Sequence, residues 1–453
     1  MERMSLAEIV FAVDGSFGYP AEQLVDSIST DTRKITENSV FIALRGQNFD
    51  GHDYAVKAME LGALAVITEQ PVEGAKCIVV DSTAKALLDL AHYYRMKFNI
   101  PMVSVTGSVG KTTTKDMIAC VLARGFKTLR SEGNHNNEIG LPLTLFGLDS
   151  TFEAAVTEMG MNHFGEISRL SMCAAPTVCV ITNIGVSHIE NLGSQENILK
   201  AKLEILDGAS PDAPLILNKD DKFLSTCGPR GRRTVYYSVK KKDCDVFASG
   251  IAAEDNGVSF TINYNGGKYP AVVNALGEHN VRNALAAFCA GVCLGMSPED
   301  CAAAVADYRP QGMRQNIEKK NGITYVVDCY NAAPDSMKAA LSVLSQVTTA
   351  EDGRRFCVLA DMLELGKNAK AYHKTVGEYV ASSKADVLLC FGENSVYYIE
   401  GAVRKGFDEA ACRHFDTREE LAGYLKNEIK EGDAVLFKGS RGMKLEEIYY
   451  ALA

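Results

Sequence analysis

The sequence predicts an α/β protein of three domains: a small α/β N-terminal domain, a central domain with a mostly parallel sheet, and a C-terminal Rossmann-like domain. Three observations carry this. A chain of 453 residues exceeds what one hydrophobic core usually supports, so roughly two to three domains are expected. Short β-like runs alternate with helical stretches along most of the chain, the pattern of βα units and parallel sheets. Breaks at Pro101 and in "YRPQGMRQ" divide the alternation into 1–99, 100–313 and 314–453.

In the first segment "SVFIAL", "LAVIT" and "CIVVD" read as strands, and His52 to Leu61 as a helix. In the second, "MVSVTG", "AAVTEMG", "TVCVITNIG" and "APLILN" read as strands of a doubly wound sheet, and Pro101 discourages a helix through the join. Residues 232–274 read as antiparallel hairpins inserted before a long helix from Asn280. In the third segment "ITYVVDCY", "RRFCVLADM", "ADVLLCFG" and "DAVLFKGS" resume the βα alternation. No G-x-G-x-x-G follows its first strand, so a dinucleotide site is not supported.

Apolar content of 47% and charged content of 23% are ordinary for a soluble globular chain. A formal charge of −10 argues against a nucleic-acid partner, which needs a basic face for phosphates. No run approaches the roughly 18 apolar residues of a membrane span, and the first residues carry no clear signal-peptide pattern. The thirteen cysteines sit mostly inside apolar runs; Cys289 and Cys293 share a helix face, but no second pair completes a zinc site. Reduced core cysteines in a cytoplasmic protein are the expectation.

The stretch "PMVSVTGSVGKTTTKDM" has the chemistry of an anion site. A buried strand enters a glycine-containing turn, and a helix follows whose Met117, Ile118, Val121 and Leu122 recur at helical spacing. Backbone N–H groups of Gly107, Ser108, Val109 and Gly110 would nest phosphate oxygens at the positive end of the helix dipole. Lys111 adds a point charge, and Thr112 a hydroxyl suited to Mg²⁺. The middle segment is therefore expected to be a P-loop, mononucleotide-binding domain. Val105 stands where the general P-loop has its first glycine.

A second constellation sits at other strand ends: Glu158 in "TEMG", Thr182, Asn183 and His188 in "TNIGVSH", and Lys200 and Lys202 in "KAKLEI". Ligands of parallel sheets gather at the carboxyl ends of strands, so these residues are expected to converge on the loop. A glutamate and a histidine beside Mg-ATP suit a second divalent ion.

The shorter "TGSVGKTTTKDM" resembles the ATP loop of the Mur ligase family, in which T-G-x-x-G-K-[ST] is the rule. "EGNHNNEIGLPLT", "TEMGMNHFGEI", "ITNIGVSHIENLGS", "KAKLEI", "GEHNVRNALAA", "VVDCYNAAPDSM", "VLADMLELG" and "VLFKGSRGMKLE" follow in the family's order, so the resemblance spans nearly the whole chain. It implies that Gly107 through Thr113 hold the ATP phosphates and that Thr112, Glu158, His188 and Lys202 hold two Mg²⁺ ions. In the family a carbamoylated lysine supplies a carboxylate there, and the spacing Ala-Lys-x-x-Ile favours Lys202 over Lys200. The resemblance places Asn280, Asn283, Arg314, Asp328, Tyr330 and Asn331 at the nucleotide. Asn136 and Asn137 belong near the incoming substrate. "STDTRKITENSVFIALRGQNFDGHDY" resembles the family's UDP-sugar-peptide region, which makes Thr30, Asp31, Arg33, Arg45, Asn48, Asp50 and His52 substrate candidates.

"GMNHFGEI", "DCYNAAPDSM" and "DMLELG" point to the branch that joins D-Ala-D-Ala to UDP-MurNAc-tripeptide through an acyl phosphate. The Asp-Asn-Pro-Arg string of the diaminopimelate-adding branch is absent. The third domain is then expected to bind the D-Ala-D-Ala acceptor and close over ATP, hinging near residues 311–314. Arg33, Arg45, Lys111, Arg314, Lys438 and Arg441 would supply local positive charge in an acidic chain. A monomer is the expectation. Cys329 and Ala333 depart from the family's common Asp-Asp-Ser-Tyr-Asn-Ala-Asn-Pro stretch, which puts direct roles for those two side chains in doubt. The alternatives are a sister ligase, a folylpolyglutamate-synthase-like enzyme, or a P-loop switch that hydrolyses nucleotide without an acceptor.

Overall fold

The structure is a computed structural model and describes every residue except Gln47, Pro229, Arg230 and Ala453. The first unit carries a four-stranded parallel sheet in the order Ser27–Ser29, Ser39–Ile42, Ala63–Thr68, Cys77–Val79. The expected helix is a 3₁₀ turn, Gly51–Tyr54, running into an α-helix, Ala55–Glu60.

Helix Thr83–Arg95 starts where the Ser82 hydroxyl accepts from Lys85 N–H, and buries Ala86, Leu87, Leu90, Ala91 and Tyr94. That stripe shares one hydrophobic core with Leu170 and Cys173 of helix Glu166–Ala174 in the middle unit. The buried Arg95 guanidinium ties the joint by donating to the carbonyls of Ala174 (3.1 Å) and Ile100 (3.0 Å).

The middle sheet has nine strands, ordered Gly267–Val273, Gly257–Tyr264, Val246–Glu254, Thr234–Ser238, Leu215–Asn218, Val178–Ile181, Met102–Thr106, Ala154–Glu158, Thr128–Arg130. Residues 232–274 correct the reading of a hairpin region in one strand, Thr234–Ser238. Thr234–Ser238 pairs parallel with Leu215–Asn218 and, at its end, with the start of Val246–Glu254, whereas Val246–Glu254, Gly257–Tyr264 and Gly267–Val273 form the two antiparallel hairpins as read. The polar, turn-rich sequence resembles hairpins because this end of the sheet has an exposed face, so its strands alternate where the central ones are solidly apolar. The helix after it begins at Glu278 and runs to Cys293, packed against the loop helix Lys111–Leu122.

Strand order reverses at Met102–Thr106, which has Val178–Ile181 on one side and Ala154–Glu158 on the other. Such a switch point opens a crevice at the carboxyl ends of the strands. The phosphate-type loop leaves the sheet there.

The third unit has a six-stranded sheet in the order Asn316–Lys320, Ile323–Asp328, Ala434–Lys438, Arg355–Ala360, Val387–Phe391, Cys412–Phe415. Only the first pair is antiparallel, joined by Asn321-Gly322 with both residues at positive φ. No helix among the described residues is long and apolar enough to cross a membrane.

Candidate active site

The loop is shaped by two glycines and pinned by the next strand end. Gly107 (φ +151°) has no room for a Cβ, which would stand 1.9 Å from Thr182 Oγ1. Gly110 (φ +81°) caps helix Lys111–Leu122 against Asn283. The Thr182 hydroxyl donates to the Val109 carbonyl (2.7 Å), and Asn183 Nδ2 does the same (2.8 Å). Asn183 Oδ1 accepts from Val109 N–H (3.0 Å), and Gly185 N–H donates to Ser108 Oγ (2.9 Å). Ser108 N–H donates to the Asn183 carbonyl (3.1 Å) as well, so the Ser108 and Val109 amides, expected to nest phosphate, are turned inward instead and hold the loop in shape for the remaining donors.

Glu158 ends the neighbouring strand, buried, with both oxygens engaged. Thr112 Oγ1 donates to Oε2 at 2.6 Å and Asn136 Nδ2 to Oε1 at 2.8 Å. Lys111 Nζ donates to the Gly107 carbonyl (2.9 Å). Burial lowers its pKa, with Arg314 adding to the effect and Glu158 opposing it. Lys202 lies behind the cavity wall at 2% exposure, and burial together with Lys111 holds its pKa well below the ordinary lysine value.

The opposite wall comes from the third unit. Lys438, buried at a strand end, pairs with Asp328 Oδ2 (2.8 Å) on the adjacent strand and donates to the Asn331 carbonyl (2.9 Å). The Arg314 guanidinium lies 3.8 Å from the centre of the Tyr330 ring. Asn280 Nδ2 donates to Gln315 Oε1 (2.9 Å), and Gln315 Nε2 donates to the Leu276 carbonyl (2.7 Å), so the expected hinge is tied to the long helix. Asn283 Oδ1 accepts from Thr114 Oγ1 (3.1 Å).

One cavity of about 320 Å³ gathers these groups, lined among others by Ser108, Lys111, Glu158, His188, Asn283 and Arg314. Val109, Gly110, Thr113, Asn136, Asn137, Asp328, Tyr330 and Asn331 line it too. Gly107, Thr112 and Asn280 do not line it but contact residues that do: Lys111, Glu158 and Gln315. Asn137 also caps a helix, its Oδ1 accepting from Gly140 N–H at 2.8 Å.

The N-terminal candidates form a separate cluster. Asp31 and Arg33 make a two-pronged pair (2.9 and 2.7 Å), and Arg45 bridges Asp50 (3.2 Å) and Glu69 (3.3 Å). His52 is buried with both ring nitrogens used, Nδ1 on Asp50 Oδ1 (2.6 Å) and Nε2 accepting from Glu69 N–H (2.9 Å). Its ring braces the loop rather than facing a ligand. Thr30 is partly exposed and Asn48 exposed beside this cluster, and none of the seven residues lines the cavity.

Sequence reasoning did not find His279, Gln315 or Glu364. His279 and Gln315 line the cavity and meet at 3.0 Å. Glu364 Oε2 approaches His188 Nδ1 to 2.7 Å from the third unit. The sequence signal for Gln315 was its place beside Arg314 at the domain boundary, and His279 and Glu364 lie within the stretches "GEHNVRNALAA" and "VLADMLELG", where nothing local singled them out.

The donor set suits a hard divalent ion: a hydroxyl, a carboxylate, a carboxamide and an imidazole at one strand-end crevice. Among the described residues no three His, Cys, Asp or Glu side chains cluster as a ready-made metal site. Lys202, buried and with its pKa held well below the ordinary lysine value by burial and by the nearby Lys111 charge, is a candidate source of a further oxygen ligand.

Comparison with known families finds three matches along the chain. Residues 24–105 match the Mur ligase family catalytic domain, 105–291 the Mur ligase middle domain, and 313–441 the Mur ligase glutamate ligase domain. The UDP-N-acetylmuramoyl-tripeptide–D-alanyl-D-alanine ligase of Bacillus subtilis is 38% identical, covering 99% of this chain and 98% of the relative. The crystal structure of MurF from Acinetobacter baumannii superposes with a TM-score of 0.92 at 29% identity, covering 100% and 99%. MurF ligase from Thermotoga maritima, solved in complex with ADP, gives a TM-score of 0.83 at 27% identity, covering 94% and 96%.

Proposed function

We propose, from the premise that this chain belongs to the Mur ligase family, that it is an ATP-dependent ligase joining D-Ala-D-Ala to UDP-MurNAc-tripeptide. The product is the pentapeptide precursor of peptidoglycan, released with ADP and phosphate. The observation that carries this reading is the single cavity walled by the P-loop and Glu158 on one side and by Arg314, Asp328 and Tyr330 on the other. A phosphoryl donor and an amine acceptor can meet only where two such walls face each other.

A carboxylate does not acylate an amine directly, because hydroxide is a poor leaving group. The terminal carboxylate oxygen of the tripeptide attacks the γ-phosphorus of ATP, the bond to the β-phosphate oxygen breaks, and ADP leaves. The amine of D-Ala-D-Ala then attacks the acyl carbon, the amine loses a proton, and the C–O bond to phosphate breaks. The protein's part is positioning and charge neutralisation. Lys111 and the N–H groups of Gly107 and of Gly110 through Thr113 hold the phosphates, while those of Ser108 and Val109 are held by Asn183; Asn280, Asn283, Arg314, Asp328, Tyr330 and Asn331 fix the nucleotide and close over it. Asn136 and Asn137 border the carboxylate to be activated. Thr30, Asp31, Arg33, Arg45, Asn48 and Asp50 bind the UDP-sugar end within residues 1–99, with His52 bracing them.

Thr112, Glu158, His188 and a carbamoylated Lys202 would hold two Mg²⁺ ions, which neutralise the charge gathered on γ-phosphate and carboxylate. Residues 100–313 form the ATP-binding domain, and 314–453 the domain that brings in the acceptor and excludes water. The enzyme acts in the cytoplasm as a monomer. Phosphate release with ATP, UDP-MurNAc-tripeptide and D-Ala-D-Ala, omitting each in turn, tests the reading. Release that persists without D-Ala-D-Ala would point instead to a nucleotide switch, and use of a different amine to a sister ligase.

A further inference from the structure

His188 has positive φ (+62°) at the turn into helix Ile189–Leu192, and it lines the cavity. Its Nδ1 is buried, 2.7 Å from Glu364 Oε2, close enough for an ion pair though not aligned as a hydrogen bond. Glu364 belongs to the third unit, in the loop after strand Arg355–Ala360, and it too has positive φ (+62°). Non-glycine residues seldom adopt this conformation, and here two of them face each other across a domain seam.

The arm that carries Glu364 is braced on its own side. Met362 N–H donates to His373 Nε2 (3.1 Å), Leu363 N–H to Ser440 Oγ (2.9 Å), and Asn394 N–H to Asp361 Oδ2 (3.1 Å). Across the seam Val186 packs against the third unit's core. Gly366 lies so close to Glu190 that a Cβ there would meet its Cα at 3.4 Å. Glu364 is thus presented to His188 by a loop that its own unit holds in place.

A metal-binding imidazole is held in orientation and tautomer by whatever its second nitrogen donates to. With Nδ1 at the seam, Nε2 is the nitrogen left for the cavity. We infer that Glu364 is a positioning residue: its carboxylate, 2.7 Å from Nδ1 of His188 across the seam, holds that side of the ring by electrostatic contact and leaves Nε2 aimed into the cavity. The inference rests on the reading of His188 as a metal ligand. It makes completion of the cation site conditional on closure of the acceptor-binding domain, so phosphoryl transfer is not set up before the amine side is in place.

The test is Mn²⁺ binding to the full-length protein with ADP present, by titration calorimetry or electron paramagnetic resonance. It compares the unmodified protein with His188→Ala, Glu364→Ala, Glu364→Gln and the double variant His188→Ala/Glu364→Ala. Glu364→Ala should weaken Mn²⁺ binding about 10- to 100-fold. Glu364→Gln, which keeps an oxygen there without the charge, should recover only part of it. The double variant should bind no worse than His188→Ala, and kcat should fall with little change in KM for ATP. Unchanged Mn²⁺ affinity in Glu364→Ala beside a weakened His188→Ala overturns the positioning role alone. Unchanged affinity in His188→Ala overturns the metal-ligand reading and this inference with it. Multiplying effects in the double variant also overturn it.

Discussion

Replacing Lys202 by alanine separates a structural lysine from a carbamoylated one. The side chain is 2% exposed, and burial together with Lys111 favours the uncharged amine. An uncharged amine attacks CO₂, loses a proton and becomes an N-carboxylate, turning a repelled cation into an anion that a divalent ion can bind. Losing an oxyanion-stabilising group from a water-poor site costs about 3–4 kcal/mol of transition-state stabilisation. Expressed as a barrier, that is about 10²- to 10³-fold in kcat. The fold should survive, because the loss takes away an unfavourably buried amine; Lys202→Met keeps the volume as a control. The assay is phosphate release with all three substrates, with and without added formate or acetate. Lys202→Ala should be slow and partly rescued, since its cavity admits a small carboxylate. Lys202→Met should be slow and refractory. A Lys202→Ala enzyme at the unmodified rate, or equal rescue of both variants, would refute the reasoning.

Lys111→Ala should abolish ADP formation while the thermal unfolding transition stays in place; normal turnover would remove the P-loop lysine from the reaction. Gly107→Ala puts a Cβ 1.9 Å from Thr182 Oγ1, which anchors the Val109 carbonyl. It should cost at least about 10-fold in ADP affinity by calorimetry, from loss of oriented N–H donors. Burial lowers the pKa of His373 below its ordinary 6.5, so the unfolded chain binds a proton there that the native chain does not. Stability from this group is therefore complete above about pH 6.5 and lost as pH falls below it. Thermal unfolding against pH should show a shallower acid-side decline in His373→Gln, and an unchanged slope would assign the decline elsewhere.

Much of the architecture was legible because the strands are short apolar runs set off by turn residues. Met102–Thr106, Val178–Ile181 and Ala434–Lys438 are buried throughout and read directly. Thr234–Ser238 was misread because alternation marks a half-exposed strand without saying whether its neighbour runs parallel. Cys412–Phe415, polar and at the sheet edge, left no apolar signal at all.

The sequence by itself determined the chemistry of the phosphate loop and its family. Turn, lysine, hydroxyl and helix are contiguous, and their roles depend on backbone geometry that a few adjacent residues dictate. It also determined that Glu158 and the Thr182–Asn183 pair would be near that loop, since strand ends of one parallel sheet share an edge. Only the tertiary structure decided the rest. Lys438 meets Asp328 because their strands are neighbours in register. Lys202 is driven toward neutrality because packing removes water from around it. His188 meets Glu364 because two separately folded units close on one seam. Each of these pairs or environments joins residues far apart in the chain, and no local pattern encodes which distant side chain arrives.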